Sequence, residues 1–230
     1  MLKGVSGREL ARRLNGRRFE SSRRHGKHLF VRIDGEVWLR LHFGMTGSLQ
    51  YLKRDKQAPK QARVLFVFDN NHCLAFEDQR KFGEVGLVAD VDEYLRKRGL
   101  GPDALDVDLA EFKNIPAKHR GAVKSILLNQ KLIAGIGNIY ADEILFHARI
   151  HPATEIGRLR QKAVGKLFRA TRYILEKAIA AKADADLMPK SWLLPHRGKG
   201  GKCPRCGRKL KSSTIGSRTA WFCAHCQNRI

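Results

Sequence analysis

"KLIAGIGNIYADEILF", residues 131–146, decides how the rest of the chain is read. Gly135, Gly137 and Asn138 interrupt an apolar stretch and lead into residues with helical spacing. A glycine turn opening a helix points backbone amides at a phosphate, and the missing Cβ atoms allow close approach. A dinucleotide fingerprint would need a β-strand before the glycines and an acidic residue about twenty positions later. The residues that precede them, "HRGAVKSILLNQKLIA" (119–134), have helical character instead, with Val123, Ile126 and Leu127 on one face. A G-x4-G-K-[ST] phosphate loop is absent as well. The stretch therefore reads as helix, glycine turn, helix, with Asn138 expected at the N-cap. Such a hairpin suits the backbone of a nucleic acid better than a small cofactor.

The balance of charge agrees. Forty-five Lys and Arg face 22 Asp and Glu in 230 residues, a net charge of +23. A surplus of that size attracts polyanions, nucleic acid foremost. Charge alone does not separate a DNA enzyme from an RNA-binding or ribosome-associated protein. With 43% hydrophobic residues the chain can bury a core. No apolar run approaches the roughly 20 residues of a membrane span, and the N-terminus lacks the apolar core of a signal peptide. A cytoplasmic location without membrane contact is the expectation.

Outward from the glycine turn, the character of the chain changes twice. "SGRELARRL" (6–14) is expected to be a short helix, with Ser6 and Glu9 at capping-box spacing. Short β-branched and aromatic segments follow at 28–33, 37–43, 62–68, 73–78 and 83–88. Asp34-Gly35 and Asp69-Asn70-Asn71 mark tight turns between them, which points to an antiparallel sandwich or barrel. Helical periods are expected near 117–129 and 138–147, and a longer one over 155–182 whose second face is full of Lys and Arg. The fold class is α+β, with a β-sandwich over 1–90, a helical domain over 91–194 and a small metal module over 195–230.

That last module carries the strongest local signal. Cys203, Cys206, Cys223 and Cys226 form C-x2-C-x16-C-x2-C, the spacing of a four-thiolate zinc site. Two such knuckles supply a closed tetrahedral sulfur cage, so the metal is structural and leaves no open position for water. Disulfides or a redox pair are the alternatives, and a reducing compartment disfavours them. The residues between the knuckles are expected to form a basic β-hairpin with Arg218 near its turn.

Three further stretches, "RRHGKHLFVRI…LRLHFGMTGSL", "AFEDQRKFGEVGLV" and "GAVKSILLNQKLIAGIGNIYADEILFHARIHP", resemble the formamidopyrimidine-DNA glycosylase/endonuclease VIII family in order and spacing. With the cysteine-rich tail the resemblance covers the chain from about Val5 to Gln227. It implies a β-sandwich, a helix–two-turns–helix domain and a zinc finger, in a bacterial-type, nucleoid-associated monomer acting on duplex DNA that contains damaged bases or abasic sites. It implies that Lys27, His42, Asn138 and Arg218 grip phosphates around the lesion. Met45, Arg80 and Phe82 fall on residues that fill the gap left by an everted nucleotide. Lys124 matches a lysine lining the lesion site, and Glu143 an acidic residue of the second motif helix. The chemistry is consistent: a damaged base must leave the stack before its glycosidic bond is attacked, and an apolar wedge lowers the cost of opening the gap. Solvated surface charges and core residues are the bland reading of the same side chains.

The resemblance also implies a departure. Family members begin Met-Pro-Glu-Leu-Pro-Glu, where the proline amine attacks the sugar and the glutamate assists proton transfer. These residues begin "MLKGVSGREL" and hold no such stretch. The expectation is an N-terminally shortened sandwich with an exposed edge or open core, and either a glycosylase/AP lyase whose nucleophile lies outside these residues or an inactive damaged-DNA-binding relative. Lys27 and Lys124 are the candidate assisting amines. Only "ADADLMPKSWLLPHRGKGGK" separates the long helix from Cys203, little room for a base-capping loop. Oxidised pyrimidines and ring-opened purines are therefore equally open as substrates.

Overall fold

A computed structural model describes every residue except Glu36, Asp55, Arg229 and Ile230. It divides into two compact units, Met1–Gly99 and Leu100–Ile230.

The first unit opens with α1 (Gly7–Leu14), whose Ser6 hydroxyl accepts from the Glu9 amide at 3.1 Å. The expected reciprocal cap is not made, because the Glu9 carboxylate pairs with Arg12 and Arg13. Seven strands follow: β1 (Phe19–His25), β2 (His28–Ile33), β3 (Val37–His42), β4 (Gly47–Lys53), β5 (Ala62–Val67), β6 (His72–Asp78) and β7 (Glu84–Val88). They form two antiparallel sheets, ordered β1-β2-β3-β7 and β4-β6-β5. Two of the strands were not anticipated from sequence. β1, "FESSRRH", is almost wholly exposed and polar, and β4, "GSLQYLK", mixes glycine and polar residues. Hydrogen-bonded neighbours impose their conformation over weak intrinsic preference.

Between the sheets lie Ile33, Leu39, Leu41, Phe66, Phe76, Val85 and, from α1, Leu10. Phe43 stacks on Phe76 at 5.6 Å, and Phe19 meets Phe66 edge-on at 5.7 Å. Asp34 and Gly35 both take positive φ in the tight turn between Ile33 and Val37, where their sequence signals a hairpin. Beside β7, Lys3 donates to the Val85 carbonyl and Val85 to that of Met1, both at 2.9 Å. β5 is an edge strand with Leu65 and Val67 exposed. α2 (Val91–Arg98) also belongs to this unit. Its Tyr94 ring packs 5.8 Å from Phe30 on the outer face of the four-stranded sheet, which carries the unit to Gly99 rather than Asp90.

The second unit contains α3 (Leu109–Lys118), α4 (Val123–Leu128), α5 (Asn138–Ala148), α6 (Gln161–Ala180), β8 (Lys211–Ile215) and β9 (Arg218–Phe222). α3 was missed in the sequence because Pro116 sits inside it. A full capping box between Asp108 and Glu111 starts the helix nonetheless. The single long helix expected over 155–182 is broken: a 3-10 turn, Ile156–Arg158, precedes α6, and Leu159 and Arg160 are extended. Ile156 and Leu159 are buried with Leu167, Ala170 and Ile174, so an apolar spacing that looked continuous spans two elements. Phe112 of α3 meets Phe168 of α6 at 5.5 Å, and Trp192 is buried in the same core. No helix among the described residues is long and apolar enough to cross a membrane.

Candidate nucleic-acid interface

In the first unit, five candidate residues lie around one end of the four-stranded sheet. Lys27 occupies the β1–β2 turn, beside His28, and His28 pairs directly with His42 across β2 and β3. The turn after His42 carries Met45, and the loop between β6 and β7 carries Arg80 and Phe82. Met45 is 64% and Phe82 55% exposed, so neither is a core residue. The Arg80 guanidinium stands over the Phe82 ring at 5.0 Å.

What joins the two loops is Asp78, fully buried at the end of β6. Its carboxylate accepts from the Thr46 hydroxyl at 2.6 Å and from the Gly83 amide at 2.5 Å. Thr46 accepts in turn from the Arg80 amide at 3.2 Å. Burial raises the Asp78 carboxyl, but the Thr46 hydroxyl and the Gly83, Arg80 and Lys81 amides outweigh it and hold the group below its ordinary value. At Gly44, with φ +60°, a Cβ would stand 2.7 Å from the Phe82 carbonyl carbon, so only glycine lets the loops approach this closely. Neither Asp78 nor Gly44 stood out in the sequence. The acidic residue five positions before a glycine was the only available signal.

His42 is set up as a neutral donor. Its Nδ1 accepts from the Gly44 amide at 3.1 Å, which leaves the ring proton on Nε2. Burial pushes its pKa down, Glu84 pulls the other way, and Arg40 and Lys27 push it further down. His28, 4.9 Å away ring to ring, is pushed down to about 4 by burial and by His42 and Arg40.

In the second unit, α5 starts at the expected helical period, but its cap is a different residue. Gly137 is its N-cap and Asn138 its first helical residue, so Asn138 does not cap the helix. No side chain caps this end, and the Asn138 Oδ1 is buried without a partner. The preceding turn is shaped by Gln130, another residue the sequence reading passed over. Its amide nitrogen donates to the carbonyls of Leu128 (3.0 Å) and Ile136 (3.1 Å), and its oxygen accepts from the Gly135 amide (3.0 Å). Gly135 sits at φ +112°, as this path requires.

Lys124 is not at a surface. It is fully buried, its ammonium 2.7 Å from an Asp142 carboxylate oxygen and 2.7 Å from the Thr219 carbonyl of β9. Burial pushes its pKa down while Asp142 holds it up. Asp142 also accepts from Arg197 at 2.8 Å and from the Trp221 amide at 3.1 Å. An ammonium held this way is no accessible nucleophile, so the expectation of Lys124 as an assisting amine is corrected: it ties β9 to α4 and α5. Glu143 is buried too, and its carboxylate accepts from the Leu193 and Leu194 amides at 3.0 and 2.8 Å. These bonds leave Arg218 exposed at the start of β9, one residue from Thr219.

The four cysteine sulfurs all lie within 4.8 Å of one another. Cys203–Cys226 measure 3.9 Å and Cys206–Cys223 3.6 Å. A tetrahedral zinc with Zn–S bonds of about 2.3 Å requires sulfur–sulfur edges of about 3.8 Å, so the donor set fits that ion. The Arg208 amide draws the Cys206 thiol down towards the thiolate that a metal needs. Arg205 clamps the first knuckle to α5, donating to the Phe146 carbonyl at 2.7 Å with its guanidinium 4.0 Å above that ring. Gln227 clamps the second, bonding both the Cys223 amide and the Ile150 carbonyl.

An antiparallel sandwich, a helical hairpin with no side-chain cap at its helix N-terminus and a four-cysteine hairpin that fits zinc are the parts this chain shares with one class of DNA-repair glycosylases. Residues 1–85 match the formamidopyrimidine-DNA glycosylase N-terminal domain, 99–187 the H2TH domain of the same enzymes, and 200–229 the zinc finger found in FPG and IleRS. The formamidopyrimidine-DNA glycosylase of Stenotrophomonas maltophilia is 36% identical over 95% of this chain and 85% of its own length. That of Heliobacterium modesticaldum is 33% identical over 93% and 83%. The structure of the Lactococcus lactis enzyme complexed with abasic-site DNA is similar with a TM-score of 0.85, at 30% identity over 96% of this chain and 86% of that one. A second Lactococcus lactis complex, with FAPY-dG DNA, gives the same values. The chain belongs to the formamidopyrimidine-DNA glycosylase family.

Proposed function

We propose that this chain recognises duplex DNA at oxidised bases and abasic sites, and that it serves base excision with glycosylase and AP-lyase chemistry. The observation that carries this reading is the Met45–Arg80–Phe82 cluster: two exposed apolar side chains and a guanidinium, fixed by one buried carboxylate. Exposed large apolar side chains held rigidly cost solubility, and an unstacked base step is a site that takes them up. Arg80 beside the wedge is placed to donate to the orphaned partner base. Lys27, His42, Asn138 and Arg218 supply the phosphate contacts, Lys27 and Arg218 as cations, His42 through Nε2–H and Asn138 together with the free amides of its helix. Similarity to enzymes solved with abasic-site and FAPY-dG DNA supports the choice of ligand.

The covalent step is assigned to an N-terminal proline amine followed by glutamate, as in the family. Amine attack at the sugar C1′ expels the damaged base and leaves an imine, from which strand cleavage proceeds. These 230 residues contain no Pro-Glu pair, and Lys124 is buried, so binding and chemistry can be assayed separately. Abasic-site duplex and borohydride are incubated with the chain alone and with the chain carrying an N-terminal segment that begins Pro-Glu. A trapped adduct with the extended protein is expected. Failure of the extended protein to trap, while it still binds the duplex, would refute the lyase assignment.

A further inference from the structure

The basic face of α6 takes part in none of these contacts. Lys166, Arg169, Ala170 and Tyr173 recur at helical spacing and share one side of that helix. Together with the C-terminal end of α5 they line a concavity of about 310 Å³, which His147 and Arg149 complete. It lies at the far end of α5 from Asn138, nine residues and so about 14 Å along the axis.

Its lining combines two chemistries. Arg149, Lys166 and Arg169 make no ion pair among the described residues. Of the nearby carboxylates, Glu143 accepts from the Leu193 and Leu194 amides and lies 3.4 Å from the His147 Nε2, and Glu176 pairs with Arg172 at 3.4 Å, so neither pairs with these three cations. Arg149 closes α5 in the left-handed conformation, φ +60°, where glycine is the unstrained choice. An arginine at that position points to a use for its side chain. Tyr173 is 44% exposed, and its ring stands 5.6 Å from that of His147. His147 is fixed from behind by Trp192 at 5.9 Å. The result is an aromatic face beside three free cations, the pairing used to stack a base and hold its phosphate.

We propose that this cavity binds one nucleoside monophosphate unit, its base stacked on Tyr173 and its phosphate held by Arg149, Lys166 and Arg169. The volume is at the lower end of small-molecule sites, enough for one nucleotide. The unit is either a free nucleotide or the unpaired terminal nucleotide of a strand. Both present the same base and phosphate.

Calorimetric titration of the zinc-loaded chain with adenosine 5′-monophosphate, inorganic phosphate and adenosine, at constant ionic strength, tests the assignment. Saturable binding of the monophosphate is expected, with the other two at least about tenfold weaker. R169A and Y173A should each raise the monophosphate Kd by about tenfold, whereas Y173F should not. A 5′-phosphorylated single-stranded tetranucleotide separates the sources. If the parent's loss on R169A/Y173A substitution is larger for the tetranucleotide, the strand end is the ligand; if larger for the monophosphate, the free nucleotide is. Equal affinity for inorganic phosphate, or monophosphate binding unchanged in the folded double variant, would overturn the proposal. Binding of abasic-site duplex by the same variant is read in parallel and should stay at the parent value, so loss of nucleotide binding is distinguishable from failure of the damaged-DNA reading.

Discussion

The wedge of the first unit and the hairpin of the second solve one problem by different means. On the proposed function, each holds exposed residues in place against nucleic acid. In the sandwich, one buried carboxylate, Asp78, collects neutral donors from two loops and so fixes Met45, Arg80 and Phe82. In the helical unit a buried ion pair, Lys124–Asp142, is braced by Arg197, two β9 backbone groups and a metal cage a few residues away. A lone carboxylate suffices where the loops are short and glycine permits close contact. A separate hairpin brings little apolar core of its own and needs the cage and the charge pair.

The comparison predicts unequal consequences on breaking each hub. Removing zinc with a strong chelator, or Cys203→Ser, should be the most damaging change. The hairpin over 203–227 should lose protease resistance and Arg218 its position, while the sandwich stays folded; chelation followed by limited proteolysis checks this. Asp142→Ala leaves Lys124 and Arg197 buried without their counter-charge, and thermal unfolding should report a loss of about 3–5 kcal/mol in the second unit. Replacing the pair together by apolar residues of similar volume, Lys124→Met with Asp142→Leu, should recover part of it. Asp78→Ala orphans a hydroxyl and at least one amide, a loss of about 2–4 kcal/mol confined to the first unit, with discrimination of abasic DNA lost at the same time.

The sandwich should also show a pH dependence. His28, half-buried and facing His42, Arg40, Glu84, Arg98 and the Tyr94 ring, is pushed down to about 4 from an ordinary 6.5. The unfolded chain binds the proton more readily, so the unit should lose stability as pH falls from about 6.5 to 4 and no further below that. Melting curves across this window should become shallower in a folded His28→Phe variant, with the remaining slope left to His42, whose pKa is also lowered.

Much of this was legible in the sequence, for identifiable reasons. The cysteine spacing has few other uses, and the Asp34-Gly35 turn names its own geometry. The glycine turn at 135–138 excluded a dinucleotide loop as soon as the residues before it lacked strand character. What escaped notice was held by tertiary contacts. β1 is polar and becomes a strand through β2, and α3 contains a proline that its capping box outweighs. Leu159 and Arg160 interrupt what looks like one helix. Asp78, Gln130 and Asp142 work by collecting partners far apart in the chain, which no local pattern records. Lys124 is the instructive reversal, because a lysine in a +23 chain reads as surface charge until its carboxylate partner is seen.

On the proposed function, the exposed Met45 and Phe82 side chains, set by the buried Asp78 carboxylate, confer recognition of damage. Its most direct measurement is the ratio of affinities for abasic-site and undamaged duplex at one salt concentration, in the parent chain and in Met45→Ala/Phe82→Ala. Both side chains are exposed, so the double variant should melt within about 0.5 kcal/mol of the parent. A clear preference for the abasic duplex is expected in the parent and should collapse towards unity in the variant, with salt-dependent affinity for undamaged DNA retained. Equal binding of the two duplexes by the parent, or an undiminished preference in the variant, would contradict it.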